Sequence, residues 1–395
     1  MKKALQYLGN DRRLAIGLLA AIVGLGCLLL LRLGSLTGGL SSGEITASTA
    51  PVGWHGIYHQ PFYLPLQLVR SVVFVVFPAH GQTLTRLPNV FFGALAVVAF
   101  AWLVKTWHSP RTAILAGLLF ATGAWTLHVS RLASFDVLYL WSTPTLLLIN
   151  SLLQRQVRQP IVWYGSLLIW GLMLYIPGLV WLLVLSVWLQ RQSLLRAWQY
   201  FGRWWQRLLY VLAALIWLPL LVVDLLRPGN LVTWLGLPTH WAPFPTLIKH
   251  LVAVPVHLFI RGPEYPDRWL GRAPLLDMFT LAICLLGIYF YAQHLRASRS
   301  RLLGLWALLG TLLVGFGGPV SLSLLVPLLY VGAAAGIAYL LHEWMHIFPN
   351  NPLARTLGLG VITLAVVLSC TYNLRAYFVA WPHNQSTTAV FKYHR

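Results

Sequence analysis

Carboxylates are scarce in this chain: eight aspartates and glutamates stand against 28 lysines and arginines in 395 residues, and only 9% of residues are charged. An average soluble domain is roughly 25% charged, so the chain cannot cover an ordinary water-facing surface, and a soluble globular protein is excluded. Cysteine is equally sparse. Cys27, Cys284 and Cys370 each fall inside an apolar run without metal-ligand spacing, which excludes a disulfide framework and a zinc ribbon. The net charge of +20 raises the question of nucleic acid. The basic residues are scattered along short connections instead of gathering on one polar surface, so no nucleic acid is expected and anionic lipid is the fitting partner.

Hydrocarbon-compatible sequence fills the space left by charge. The chain is 58% hydrophobic, with a mean hydropathy of +0.72, and its apolar runs recur at lengths that cross ~30 Å of bilayer core. In lipid each run must satisfy its own backbone hydrogen bonds, which a helix does. The expected architecture is therefore an all-α, polytopic integral membrane protein, one transmembrane domain over residues 1–395. About eleven spanning helices are expected, near 14–33, 88–105, 112–128, 137–153, 161–173, 175–190, 208–224, 274–292, 302–315, 319–341 and 356–378. The fifth and sixth abut at Tyr175-Ile176-Pro177-Gly178, which fits a re-entrant turn as well as two crossings. The first follows Lys2, Lys3, Arg12 and Arg13; its length and missing small-residue cleavage site favour a retained helix over a signal peptide. Tryptophans at run ends, such as Trp102, Trp125 and Trp181, suit headgroup anchoring.

Lysine and arginine in short loops set the sidedness. With the amino terminus in the cytoplasm, the basic segments 105–111, 155–158, 191–207 and 296–301 and Arg355 all fall inside. The loop 34–87, the turn 130–136 and the long loop 227–273 then lie outside. Residues 62–77 and 244–260 read as outer helices lying in the interface plane, and 191–207 as a cytoplasmic surface helix on anionic lipid.

The acids are Asp11, Glu44, Asp136, Asp224, Glu264, Asp267, Asp277 and Glu343, and six of them fall on the outer side. Ionisable groups kept near hydrocarbon are functional candidates by default, which singles out Glu44, Asp136, Asp224 and Asp277, with Asp277 the best placed to be a helix cap. On the same side stand Arg131, Lys249, Arg261, Arg268 and Arg272. A carboxylate can take a proton from an acceptor hydroxyl, and a guanidinium can grip a phosphate leaving group. The mixture suits group transfer from a phosphate-linked donor.

Four local motifs follow one another: Ser42-Gly43-Glu44, His59-Gln60-Pro61-Phe62-Tyr63, Arg86-Leu87-Pro88-Asn89 and Arg131-Leu132-Ala133-Ser134-Phe135-Asp136. In this order the sequence resembles the GT-C superfamily of membrane glycosyltransferases, in particular the protein O-mannosyltransferase and aminoarabinose-transferase branch (glycosyltransferase families 39 and 83). The match is good over roughly the first half of the chain; later it rests on helix order and the outer loop. The resemblance implies a polyprenyl-phosphate sugar donor, an acceptor that is protein, lipid or glycan, and a bacterial plasma membrane with the active site extracytoplasmic. It implies Glu44 as base or acceptor orienter and Asp136 as its partner. It further implies that Arg131, with Arg261, Arg268 and Lys249, contacts the donor phosphate. One departure is plain: the family carries Asp-Glu where this chain has Gly43-Glu44, and the aspartate is the residue assigned as base. Glu44 could take over, or the acceptor chemistry could differ. No cofactor is named by the sequence; a divalent cation is allowed but not required.

Two other readings compete. A transporter or lipid-sugar flippase would use the same cavity without chemistry, but neither an internal repeat nor a midplane charge pair is present. His342-Glu343-Trp344-Met345-His346 matches the H-E-x-x-H pattern of zinc proteases. It sits at a helix end followed by Phe348-Pro349 with no third ligand in view, so no metal site is assigned.

Overall fold

The structure, a computed structural model, describes residues 20–48, 61–77, 81–155, 159–200 and 228–391, together with 208, 211, 215 and 220. Asp11, Asp224, His59 and almost all of the expected run 208–224 lie outside these residues. Among the described residues every regular element is helical, with no strand, as a chain dissolved in lipid requires. The helices are α1 (Ala20–Leu30), α2 (Ser42–Ser48), α3 (Leu64–Val76), α4 (Gln82–Trp107), α5 (Pro110–Thr122), α6 (Ala124–Arg131), α7 (Asp136–Arg155) and α8 (Pro160–Met173). They continue with α9 (Leu179–Tyr200), α10 (Pro228–Trp234), α11 (Phe244–Phe259), α12 (Met278–Gln293), α13 (Ser298–Gly315), α14 (Val326–Ile347), α15 (Pro352–Arg375) and α16 (Gln385–Phe391).

Among the described residues three stretches are long and apolar enough to span a membrane by themselves: Gln82–Trp107, Leu322–Ile347 and Pro352–Ala380. The pair α5 and α6, bent by 60°, makes a fourth. The other described helices are shorter or more polar. In α7 the cause is visible, because Ser142, Thr143, Thr145 and Asn150 are all buried. This helix packs inside the bundle, so it does not need a lipid-facing hydropathy.

The core is organised by α4, which packs on α3, α5, α6 and α7. Beside it α12 lies along α14 at a distance only glycine allows: a Cβ on Gly287 would stand 1.8 Å from the Gly332 carbonyl oxygen. Small residues let helix backbones approach where no hydrophobic effect drives them together. The bend between α5 and α6 falls at Gly123, where the Tyr330 hydroxyl of α14 fills the space a side chain would take. That elbow aims α6, and with it His128 and Arg131, into the end of the bundle where the carboxylates collect. A second buried cluster, including Leu29, Leu33, Leu127, Tyr377, Trp381 and Phe391, closes around them.

One sequence expectation is corrected here. Residues 191–207 do not begin a separate surface helix, because α9 runs unbroken from Leu179 to Tyr200. No proline or glycine interrupts this stretch, so the helix continues past its apolar half; residues 201–207 lie outside the description. The turn 175–178 reaches the carboxylate end: the Tyr63 amide donates to the Tyr175 carbonyl at 2.7 Å, and the Gly178 amide, at φ +79°, donates to the Trp234 carbonyl at 2.8 Å.

Candidate functional site

Glu44 opens the site from α2. Its local role is a capping box: Ser41 Oγ accepts from the Glu44 amide at 3.2 Å, and Glu44 Oε2 accepts from the Ser41 amide at 3.0 Å. The same carboxylate is buried against Arg86 of α4, taking Nε at 2.7 Å and Nη2 at 2.8 Å, and it also accepts from the Ala133 amide at 3.0 Å. Four donors thus occupy its two oxygens. Arg86 completes the knot by donating to the carbonyls of Leu33 and Gly39 and to Thr37 Oγ1. A bidentate pair of this kind fixes geometry as well as charge, and here it ties the loop after α1, the start of α4 and the turn before α7 into one piece.

Asp136 is the first residue of α7, where the helix N-terminus favours a negative charge. It is bridged to Arg268 of the later loop, whose Nε also reaches Asp267 Oδ2 at 3.4 Å. Burial alone would lower the Arg268 pKa, but Asp136 and then Asp267 outweigh it and hold the guanidinium above its ordinary value. Tyr63 stacks on Phe135 with ring centroids 4.2 Å apart. Burial, opposed by a hydrogen bond with Tyr139 and reinforced by the Asp136 charge, pushes its hydroxyl up to about 12. Beside Asp136 this tyrosine stays a proton donor.

Gly43 faces this group. A Cβ built on Gly43 would lie 3.7 Å from Asp267 Oδ2, an ordinary contact. The position at which the GT-C pattern carries aspartate is therefore flanked by an aspartate from a distant loop. Asp267 remains 26% exposed and Asp136 13%, so neither carboxylate is fully enclosed.

Two buried arginines keep donors in reserve. Arg131, at the end of α6, donates Nη2 to the Leu31 carbonyl and lies 5.0 Å from the Tyr377 ring centroid and 4.7 Å from that of Phe378; its Nε and Nη1 have no partner. Both rings belong to a π-helical turn, Ala376–Ala380, a distortion that is frequent at functional sites. Arg70 of α3 donates Nη1 to the Ala47 carbonyl, while Nε and Nη2 have no partner among the described residues. Buried, unpaired guanidinium donors are costly, and an anion would satisfy them.

The structure thus brings Glu44, Asp136 and Arg268 together, and the Ala133 bond places the Arg131 turn on the same knot. Lys249 and Arg261 are placed elsewhere. Lys249 is exposed on α11. Arg261 pairs at 2.6 Å with Glu264, which also takes Arg272 at 3.1 Å on the surface; these bonds hold the Glu264 carboxyl below its usual range. Asp277 is a cap, as expected: Oδ1 accepts from the Phe279 and Thr280 amides, and Oδ2 accepts from Thr280, Ser369 and Asn373 side chains. His342 and His346 stack with centroids 6.5 Å apart, and among the described residues no third His, Cys, Asp or Glu joins them.

Sequence reasoning passed over Arg86, Asp267 and Arg70 as site residues. Arg86 was visible in the Arg-Leu-Pro motif and Arg70 as a charge interrupting an apolar helix. Nothing local pointed to Asp267.

The all-helical fold resembles that of GT-C membrane proteins. Among solved structures the chain is similar to ArnT, the aminoarabinose transferase of Cupriavidus metallidurans, over 96% of this chain and 78% of that one. The apo form superposes with a TM-score of 0.58 at 12% identity, and the form bound to undecaprenyl phosphate with 0.60 at 13%. No family model and no curated protein sequence matches the chain.

Proposed function

We propose that the protein moves a sugar from a polyprenyl-phosphate carrier to an acceptor at the extracytoplasmic face of a bacterial plasma membrane, with its amino terminus in the cytoplasm. The observation that carries this reading is the Asp136–Arg268–Asp267 arrangement next to Gly43, in a fold that also holds buried arginines with spare donors among the described residues. Its donor class is supported by ArnT, a chain of the same fold seen with undecaprenyl phosphate bound.

In this reading Asp267 accepts the proton of the acceptor nucleophile while that atom bonds to the anomeric carbon. The bond from that carbon to the phosphate oxygen breaks, and polyprenyl phosphate leaves with the electron pair. Asp136 and Arg268 hold Asp267 in place, and Glu44, its oxygens already engaged, acts as the orienter that fixes the Arg86 knot. Arg131 and Arg70 bind the departing phosphate, where a water-poor site strengthens each charge-assisted bond. Lys249 and Arg261, being exposed, attract the anionic carrier to the surface.

The test is reconstitution into liposomes with radiolabelled polyprenyl-phosphate sugar. Transfer of label with release of polyprenyl phosphate supports the proposal. Movement of intact carrier across the bilayer without consumption identifies a flippase instead.

A further inference from the structure

A polar cavity lies at the end of α7 away from the Asp136 cluster. It has a volume of about 130 Å³ and is lined by Trp107 of α4, Asn150 and Arg155 of α7, Gln190 of α9, and Arg299 and Arg301 of α13. Helix α7 separates it from the Asp136 cluster, since Asp136 and Arg155 are its two ends, about 30 Å apart at ~1.5 Å per residue. This is a different site.

Three features point to its ligand. The wall carries three arginines and no aspartate or glutamate. Arg155 spends Nη2 on the Thr106 carbonyl, and Arg299 donates Nη1 to the Trp107 carbonyl at 3.2 Å while lying 5.6 Å from the Trp107 ring centroid. Arg155 is therefore held by backbone and Arg299 by backbone and ring, and among the described residues neither has a carboxylate partner. Second, the wall contains two amide oxygens, Asn150 Oδ1 and Gln190 Oε1, that have no hydrogen-bond partner among the described residues, on residues only 2% and 3% exposed. Asn150 is held in position by its Nδ2, which donates to Ser186 Oγ at 3.0 Å. Leaving such acceptors unmet is costly, and a ligand with O–H donors would meet them. Third, Leu189 lines the same cavity and is 37% exposed, so an apolar edge leads out of it along α9.

We infer that this cavity binds a phosphate ester carrying free hydroxyl groups, its phosphate on Arg155, Arg299 and Arg301 and its hydroxyls on Asn150 and Gln190. The volume exceeds the ~30 Å³ share of one water in the liquid and admits a group of several heavy atoms. The apolar edge at Leu189 suits a glycerophospholipid whose acyl chains stay in the bilayer.

Purified protein in detergent is titrated with phosphatidylglycerol, with phosphatidylcholine and with soluble glycerol 3-phosphate. Retained ligand is counted by native mass spectrometry and thermal melting is followed in parallel. Retention of one phosphatidylglycerol that phosphatidylcholine does not displace assigns a lipid headgroup; equal binding of glycerol 3-phosphate assigns a soluble ester to the same chemistry. Arg299→Gln is expected to weaken retention at least tenfold. Asn150→Leu removes the oxygen that would accept from a ligand hydroxyl and is expected to weaken retention as well. Wild type that binds none of the three, or a folded Arg299→Gln protein that retains phosphatidylglycerol as wild type does, overturns the site.

Discussion

The Glu44 carboxylate meets the Arg86 guanidinium through two bonds, 2.7 and 2.8 Å long, in the buried end of the bundle. Breaking such a pair from one side leaves the other charge uncompensated, at a cost of about 3–5 kcal/mol. Glu44→Gln is therefore expected to lower the melting temperature of the detergent-purified protein strongly and to reduce transfer through misplacement of the turn 131–136. A variant that melts with wild type would show that the pair contributes nothing to the native state.

Asp267 and Gly43 give a sharper test of chemistry. Asp267→Asn is expected to cut kcat by roughly 100-fold or more, the lower range for loss of a general base, while the melting temperature barely moves. Because a Cβ on Gly43 would stand 3.7 Å from Asp267 Oδ2, adding Gly43→Asp to the Asp267→Asn protein returns a carboxylate to nearly the same point. Recovery of transfer is expected. An Asp267→Asn enzyme with full kcat would remove Asp267 from the mechanism.

Packing of α12 on α14 makes a purely structural prediction. At Gly287 an added methyl would meet the Gly332 carbonyl oxygen at 1.8 Å, and backbone cannot step aside as a side chain can. Gly287→Ala forces the helices apart and is expected to destabilise by about 1–3 kcal/mol or more, read as a lower melting temperature. Gly304→Ala, with open space around it, serves as the neutral control.

His108, in the connection between α4 and α5, makes stability depend on pH. Burial, and then the Arg299 charge, push its imidazole from an ordinary 6.5 down to about 4. Between those values the unfolded chain binds a proton that the folded chain refuses, so stability rises with pH across this window. It is fully present above pH 6.5 and is lost as pH falls toward 4. Melting measured at pH 7.5 and pH 5 is expected to fall more in wild type than in His108→Gln; equal losses in the two proteins would exclude the histidine as the cause.

Several parts of the site were readable before any coordinates because their causes are local. Asp277 stands just before an apolar run and after a proline, and it caps α12. Residues 62–77 and 244–260 were expected as helices from short apolar runs with interrupting polar groups, and α3 and α11 occupy them. Asp136 was marked because an ionisable group kept near hydrocarbon is a functional candidate, and Arg131 as a cation on the same side and through the resemblance of the 131–136 motif. By contrast, Glu44 was expected as base or acceptor orienter, and only Arg86, 42 residues away, reveals that its oxygens are taken.

Composition and hydropathy alone determined that this protein is helical and lives in lipid, because a bilayer leaves unpaired backbone no other solution. Tertiary structure decided which carboxylates are engaged and which stay accessible. It set Asp267 beside Gly43 and Arg268 on Asp136, partners 132 residues apart. Charge pairing acts across space with no periodic trace along the chain, so these partnerships exist only once the loops have met.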